Sequence, residues 1–111
     1  MQPEELRAFA LSFPEAVEIE TWGHPTFRVR EKIFATLGDS GTSGVKTSKL
    51  EQIALVSSQP DVFSVPDYVG RYGWVSVRLD LVDADHLKEL VEDAWRQISP
   101  KRLVKEYDAG N

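Results

Sequence analysis

The spacing of apolar residues predicts a helix near each end of the chain. Near the start, four apolar residues recur at helical spacing: Leu6, Phe9, Ala10 and Phe13. Pro14 ends this pattern, because proline removes a helical hydrogen bond. A longer stripe follows Asp83, a residue type that caps helix N-termini. Its members are Leu87, Leu90, Val91, Ala94, Trp95 and Ile98.

Two shorter helices are also predicted. From Ser48 the chain reads Ser-Lys-Leu-Glu, which has the form of a capping box with glutamate three residues after the cap. The helix that follows should bury one apolar face, made of Leu50, Ile53 and Ala54. A last helical turn or two should begin after Pro100, since proline suits the first turn of a helix.

Alternating apolar and polar positions predict strands between these helices. They cover residues 17–21, 25–30, 32–37, about 44–47 and 74–81. In the second strand, Phe27 and Val29 should face the core. Arg28 and Arg30 alternate with them and should face outward. A glycine-rich run between the third and fourth strands is typical of a hairpin connection.

One antiparallel sheet of about five strands, with helices packed on one face, is the simplest way to bury these stripes. We therefore predict an α+β fold in two layers, formed by residues 1–111 as a single domain. The other sheet face should remain partly in water, which antiparallel sheets tolerate. The side chains expected on that face are Arg28, Arg30, Phe34, Lys46, Trp74, Ser76 and Arg78.

The composition limits the chemistry that this chain can carry. It contains no cysteine, which excludes disulfides, thiolate metal sites and cysteine nucleophiles. With two histidines, a histidine-rich metal site is not expected, and we predict neither a metal nor a cofactor. The acidic N-terminus is unlike a secretory signal, and no stretch approaches the ~18–20 apolar residues of a membrane span. A cytoplasmic monomer is the expectation.

The charge is unevenly distributed. The formal net charge is −5, yet residues 21–50 sum to +3 and residues 79–95 to −5. A basic face opposite acidic helices is compatible with this distribution, although mixed surfaces are common in proteins without a polyanionic partner.

Residues 66–80 give the strongest candidate for a binding surface, because a turn-rich loop with aromatic residues leads directly into an alternating strand. Aromatic faces stack on bases for ~1–3 kcal/mol each, and arginines pair with phosphates or carboxylates. The same aromatic residues also suit a structural role in the loop and the sheet. Elsewhere, His24 suits either a proton donor at a pocket rim or a turn histidine bonded to the backbone.

The order of these segments resembles the MmcQ/YjbR family of small bacterial proteins. The matching segments are residues 13–16, 22–29, 32–35, 45–46, 66–77 and 99–103. The resemblance covers nearly the whole chain and implies a frataxin (CyaY)-like fold. It also suggests DNA as a partner, by analogy of fold alone, and it brings no catalytic residues. Asp67 departs from the commoner form of the loop, in which proline is followed directly by tyrosine.

The leading hypothesis is a small non-enzymatic binding protein that contacts DNA or another anion. The residues assigned to this contact are Arg28, Arg30, Lys46, Arg71, Tyr72, Trp74 and Arg78. The alternative is a small-molecule or protein-binding adaptor that uses a pocket beneath the loop over residues 66–72. An enzyme with a site assembled around His24 is a third hypothesis. The net charge counts against DNA.

Overall fold

A six-stranded antiparallel sheet and four helices make up the fold in the computed structural model, which describes residues 1–110. The helices are α1 (Pro3–Leu11), α2 (Lys49–Ser58), α3 (Ala84–Ile98) and α4 (Lys101–Ala109). The strands are β1 (Val17–Thr21), β2 (His24–Val29), β3 (Lys32–Leu37), β4 (Thr42–Lys46), β5 (Phe63–Ser64) and β6 (Trp74–Arg78). A single 3₁₀ turn, Val69–Tyr72, precedes β6.

The strands lie in the order β1-β2-β3-β4-β6-β5, and all neighbours are antiparallel. The predicted α+β fold is therefore confirmed. The sixth strand comes from Phe63 and Ser64, a pair too short to give an alternating pattern, which joins the edge of the sheet beside β6. Helix α3 packs on β3 and β4, and α1 packs on α3.

The core lies between the sheet and α3, where the predicted stripes meet. Phe27, Val45 and Val77 are fully buried on the sheet side, and Leu87 and Trp95 are fully buried on α3. The indole N–H of Trp95 also donates a hydrogen bond to the carbonyl oxygen of Pro14, at 3.1 Å. This bond satisfies the one polar atom of the largest core side chain and ties the end of the first helical segment to α3.

The predicted burial of Leu50, Ile53 and Ala54 was wrong. Leu50 is 81% exposed and Ile53 58% exposed, whereas Gln52 and Leu55 are buried. Ser48 does cap the helix, accepting a hydrogen bond from the backbone N–H of Glu51. The helix is rotated so that the amide of Gln52 reaches backbone carbonyls of the neighbouring loop. Helix α2 thus buries a hydrogen-bonded amide where the apolar stripe was expected.

Two further expectations about the sheet were wrong. Phe34 is fully buried rather than on the wet face, because the register shifts between Phe27 and Arg28 and turns Phe34 toward the core. Strand β6 ends at Arg78 rather than near residue 81, so Leu81 is outside the sheet and 46% exposed.

Candidate functional site

The sheet face opposite α3, here called the open face, is defined by the strand register. One row across it consists of Thr26, Thr36, Gly44 and Ser76, which are paired from β2 to β6. On one side of this row, Arg28 pairs with Ile33. On the same side, Lys46 pairs with Trp74. Since paired residues project to the same face, these side chains all lie on the open face.

A pocket of about 260 Å³, here called the open-face pocket, lies between this face and the loop that precedes β6. Its apolar walls come from Ile33, Pro66, Val69 and Trp74. Hydroxyl groups of Thr36, Thr42 and Ser76, together with Gly38 and Gly44, complete the lining. Apolar walls with a few polar groups are the usual composition of a small-molecule site.

Gly44 makes room for the pocket floor. A Cβ atom added there would lie 2.7 Å from Thr36 Oγ1 and 3.6 Å from Trp74 Cε3. The backbone N–H of Gly44 donates to Thr36 Oγ1 at 3.1 Å, which fixes that hydroxyl against the strand. Glycine in the middle of a strand is therefore explained by the close approach of two neighbouring side chains.

The loop over residues 65–73, here called the 65–73 loop, is held by side chains from β4 and α2. Nε2 of Gln52 lies 2.7 Å from the carbonyl oxygen of Gly70 and 2.6 Å from that of Trp74. Nζ of Lys46 donates to the carbonyl oxygen of Tyr72 at 2.7 Å. These bonds satisfy backbone carbonyls that regular secondary structure would otherwise have satisfied.

The tip of the 65–73 loop has an unusual backbone conformation. Tyr68 has φ 63° and ψ −61°, and the N–H of Val69 donates to the carbonyl oxygen of Asp67 at 2.6 Å. This geometry is that of a γ-turn with positive φ, which is rare and strained. The side chain of Tyr68 is 91% exposed, so the turn presents an aromatic ring directly to solvent.

Arg28 lies on the open face, as the sequence predicted. Its Nε donates to Thr26 Oγ1 at 3.0 Å, and its Nη2 donates to Thr21 Oγ1 at 2.6 Å. Within residues 1–110, no carboxylate lies within ion-pair distance of its guanidinium. Two hydroxyl groups thus fix the position of this cation without neutralising it.

Arg30 is elsewhere, contrary to its predicted place on the wet face. Strand β2 ends at Val29, and Arg30 lies in the following turn with φ 48°, so the alternation of faces stops before it. Its Nε and Nη2 donate to the two carboxylate oxygens of Glu15 at 2.9 and 3.1 Å. These bonds lower the pKa of the Glu15 carboxyl and compensate the charge of Arg30.

The three remaining basic candidates differ in which groups their charged ends already contact. Arg78 is on the open face opposite Thr42, but its Nη2 lies 3.1 Å from Asp80 Oδ2. Lys46 is half-buried, which lowers its pKa, and its Nζ donates to two backbone carbonyls. The guanidinium of Arg71 lies 4.9 Å from the ring centroid of Tyr72, a cation–π contact on the exposed loop.

His24 lies at the start of β2, with its Nδ1 3.4 Å from Asp39 Oδ1. That nitrogen is buried and makes no hydrogen bond of good geometry. Across residues 1–110, no group of three acidic or histidine side chains is arranged to hold a metal ion. No helix in the same range is long and apolar enough to cross a bilayer.

The sequence interpretation missed Gln52, Thr36 and Gly44. A mid-strand glycine was a signal for close approach of other groups, and it applied to Gly44. No comparable signal marked Gln52, because its burial depends on where a distant loop presents its carbonyl groups.

A solved structure shares this architecture, and curated proteins share part of the sequence. The crystal structure of Deinococcus radiodurans protein DR2400, with a DUF419 domain, superposes with a TM-score of 0.82. It is 20% identical, and the match covers 95% of this chain and 86% of that one. At this identity the likeness shows the fold alone.

Two curated relatives are the uncharacterized protein Rv2570 of Mycobacterium tuberculosis and the uncharacterized protein Mb2600 of Mycobacterium bovis. Each is 32% identical over 60 residues, which is 54% of this chain and 46% of the relative. The match therefore spans less than half the length of either relative. The YjbR family model matches residues 11–97, in agreement with the resemblance seen in the sequence. This chain belongs to the YjbR family.

Proposed function

We propose that this protein is a non-enzymatic binding module whose ligand is a small molecule held in the open-face pocket. The observation that carries the proposal is the pocket itself, about 260 Å³ in volume, closed on one side by a loop that side chains hold in place. Its volume lies just below the ~300–1,000 Å³ range of drug-sized ligand sites, so the ligand should be small.

The lining suggests what such a ligand would look like. Ile33, Val69 and Trp74 offer aliphatic and aromatic surface, so the body of the ligand should be apolar. The hydroxyl groups of Thr36 and Ser76 would orient it by hydrogen bonding. Because Gln52 already fixes the loop, little conformational entropy would be lost on binding.

The DNA hypothesis receives less support from the same surface. Arg30 is absent from the open face, and its charge and that of Arg78 are compensated by carboxylates. Lys46 is engaged with backbone carbonyls, and the net charge is −5. DNA affinity depends mainly on neutralising phosphates with free cations, of which this face has few.

A matched pair of variants tests the pocket. We expect 3-phenyl-1-propanol, a neutral probe, to raise the melting temperature and shift the backbone amide NMR signals of Thr36, Gly44 and Ser76. Ser76→Leu fills the pocket and should abolish both effects. Ser57→Leu, at an exposed position of α2 outside the pocket lining, is the control and should leave both effects intact.

The same titration separates the two kinds of partner. Pocket binding of a neutral probe should change little with salt, whereas DNA binding should weaken with a slope near one unit per neutralised phosphate. Equal probe binding by Ser76→Leu and the unmodified protein would contradict the proposal. So would salt-sensitive binding of a DNA duplex in the absence of any probe binding.

A further inference from the structure

We infer that the outer edge of β1, here called the β1 edge, is a docking site for an extended peptide in which basic and apolar residues alternate. Strand β1 is the first in the sheet order and has a neighbouring strand, β2, on one side only. Within residues 1–110, its backbone forms no backbone hydrogen bond to any other element. The N–H and C=O groups on its outer side can therefore pair with a further strand. None of its residues lines the open-face pocket.

The two edges of the sheet differ in how they are protected. Strand β5, at the other edge, is two residues long, which leaves little backbone for an incoming strand. Strand β1 spans five residues, contains neither proline nor lysine, and pairs with β2 without a shift of register. Four of its five residues are exposed. The β1 edge is therefore long enough and open enough to receive a strand of ordinary length.

The apolar residues of β1 lie on the open face. Val17 is paired with Arg28 and Ile19 with Thr26, both of which project to that face. Val17 is 48% exposed and Ile19 45% exposed. Side chains of an added strand would cover part of this apolar surface, because directly opposite residues of neighbouring strands are in contact. Apolar residues are therefore expected at every second position of the peptide.

The acidic residues of β1 alternate with the apolar ones and project toward the helices. Glu18 is paired with Phe27, which is fully buried in the core, and Glu20 follows on the same side. Glu18 lies 2.9 Å from Nε of Arg7 in α1, whereas Glu20 belongs to no ion pair within residues 1–110. Basic side chains of the peptide would lie opposite these glutamates. On the open face, the uncompensated cation of Arg28 disfavours them.

The same glutamates disfavour a second copy of this chain as the occupant. Two copies that join antiparallel through β1 would be related by a two-fold axis, which makes the pairing symmetric. Centring that pair on Ile19 places Glu18 opposite Glu20, and centring it on either glutamate places that residue opposite itself. Like charges directly opposite each other in a sheet are destabilising. A basic strand replaces this repulsion with attraction.

Trp22, which directly follows β1 in the turn to β2, gives an independent indication of a partner. Its side chain is 96% exposed. Trp22 and Gly23 have φ of 52° and 83°, and positive values at both positions are typical of a type I′ turn. Such turns favour asparagine, aspartate and glycine, so the chain holds a bulky ring in solvent despite backbone strain. Tryptophan is enriched among the anchors of protein interfaces. A peptide that extends past the end of β1 would reach this ring.

The test compares two acetylated and amidated peptides that differ in charge only. Thr-Val-Lys-Ile-Lys-Val-Thr should slow the hydrogen exchange of the amides of residues 17–21 and shift their NMR signals. It should bind about tenfold more tightly than Thr-Val-Glu-Ile-Glu-Val-Thr. Glu20→Lys should remove most of this preference. Glu89→Lys, the same change of charge at an exposed position of α3, is the control and should retain it.

A second pair of peptides distinguishes strand addition from simple charge attraction on the unmodified protein. Alternate N–H groups of an antiparallel strand point to the same neighbour, so N-methylation of one alternate set blocks the bonds to β1 and N-methylation of the other set does not. One methylated lysine peptide should therefore bind about tenfold more weakly, and the other should bind as before.

Three results would overturn the inference. The first is equal binding of the two methylated peptides, and the second is equal binding of the lysine and glutamate peptides. The third is a dimer in sedimentation experiments without peptide, with slow exchange of the β1 amides, which would assign the β1 edge to a second copy of the chain.

Discussion

The side-chain amide of Gln52 lies 2.7 Å from the carbonyl oxygen of Gly70, so a buried glutamine of α2 holds the loop that covers the open-face pocket. The same nitrogen reaches the carbonyl oxygen of Trp74 at 2.6 Å, where β6 begins. One polar side chain thus connects the helix, the loop and the strand. With Gln52 on the buried side of α2, Leu50 and Ile53 lie in solvent.

Replacing Gln52 by leucine should release the 65–73 loop. The carbonyl oxygen of Trp74 would lose the Gln52 donor, whereas that of Gly70 would keep its bonds from the N–H of Gly73 and Nζ of Lys49, so the free energy of unfolding should fall by about 1–3 kcal/mol. Hydrogen exchange of the 65–73 amides should accelerate. Gln97→Leu, at an exposed position of α3, is the control and should leave both quantities nearly unchanged. Unchanged exchange in Gln52→Leu would show that the loop is held by other contacts.

Alanine substitutions at two glycines with positive φ distinguish the cost of backbone strain from the cost of a steric clash. Gly73 has φ 93° and an added Cβ would contact the carbonyl oxygen of Thr47, whereas Gly23 has φ 83° and open space around it. Gly23→Ala should therefore cost only the ~1–2 kcal/mol of a left-handed conformation. Gly73→Ala should cost at least twice as much, measured by chemical denaturation. Equal losses of stability in the two variants would show that the 65–73 loop moves away from the added methyl group at no further cost.

Acid should weaken the fold partly through Asp108. Hydrogen bonds from Arg96 lower the pKa of this carboxyl below its ordinary value, and Glu15 is affected in the same way by Arg30. Because the folded-state pKa is the lower one, the stabilisation is present above the unfolded pKa of ~3.9 and is lost as the pH falls through the folded pKa. Asp108→Asn should flatten the dependence of the melting temperature on pH below ~4.

The outcome for Asp108 has an internal control. Asp61 is an exposed carboxylate outside the ion pairs of residues 1–110, so Asp61→Asn should leave the pH profile unchanged. If Asp108→Asn and Asp61→Asn give the same profile, the pair with Arg96 does not contribute to acid sensitivity.

Tryptophan fluorescence should report on pocket occupancy. Trp74 lines the pocket, Trp22 is 96% exposed and Trp95 is fully buried in the core. A bound ligand should therefore change the emission of Trp74 and protect it from acrylamide. Trp74→Phe should abolish most of the ligand-induced change, whereas Trp22→Phe should preserve it. Persistence of the signal in Trp74→Phe would place the ligand outside this pocket.

The fold was predictable because its strongest signals are periodic and local. The stripe on α3 and the alternation in β6 each place their residues without reference to distant parts of the chain. The family resemblance was predictable from the order of several short motifs, and the YjbR match over residues 11–97 confirms it.

The site was less predictable because it depends on contacts between distant segments. The alternation that predicted Arg28 on the open face also predicted Arg30 there, but the strand ends between them and a turn redirects Arg30 toward Glu15. Likewise, the helical pattern of α2 could not show that Gln52 meets carbonyls 18 and 22 residues further along the chain.

The pocket floor at Gly44 has a consequence for the comparison of related proteins. A methyl group at this position would lie 2.7 Å from Thr36 Oγ1, so Thr36 would have to shift and the pocket floor would change shape without any change in the strand order. Homologues with alanine or a larger residue there should keep the architecture and bind the proposed ligand more weakly. Among homologues, the residue at position 44 should therefore predict binding of the proposed ligand more reliably than overall sequence identity does.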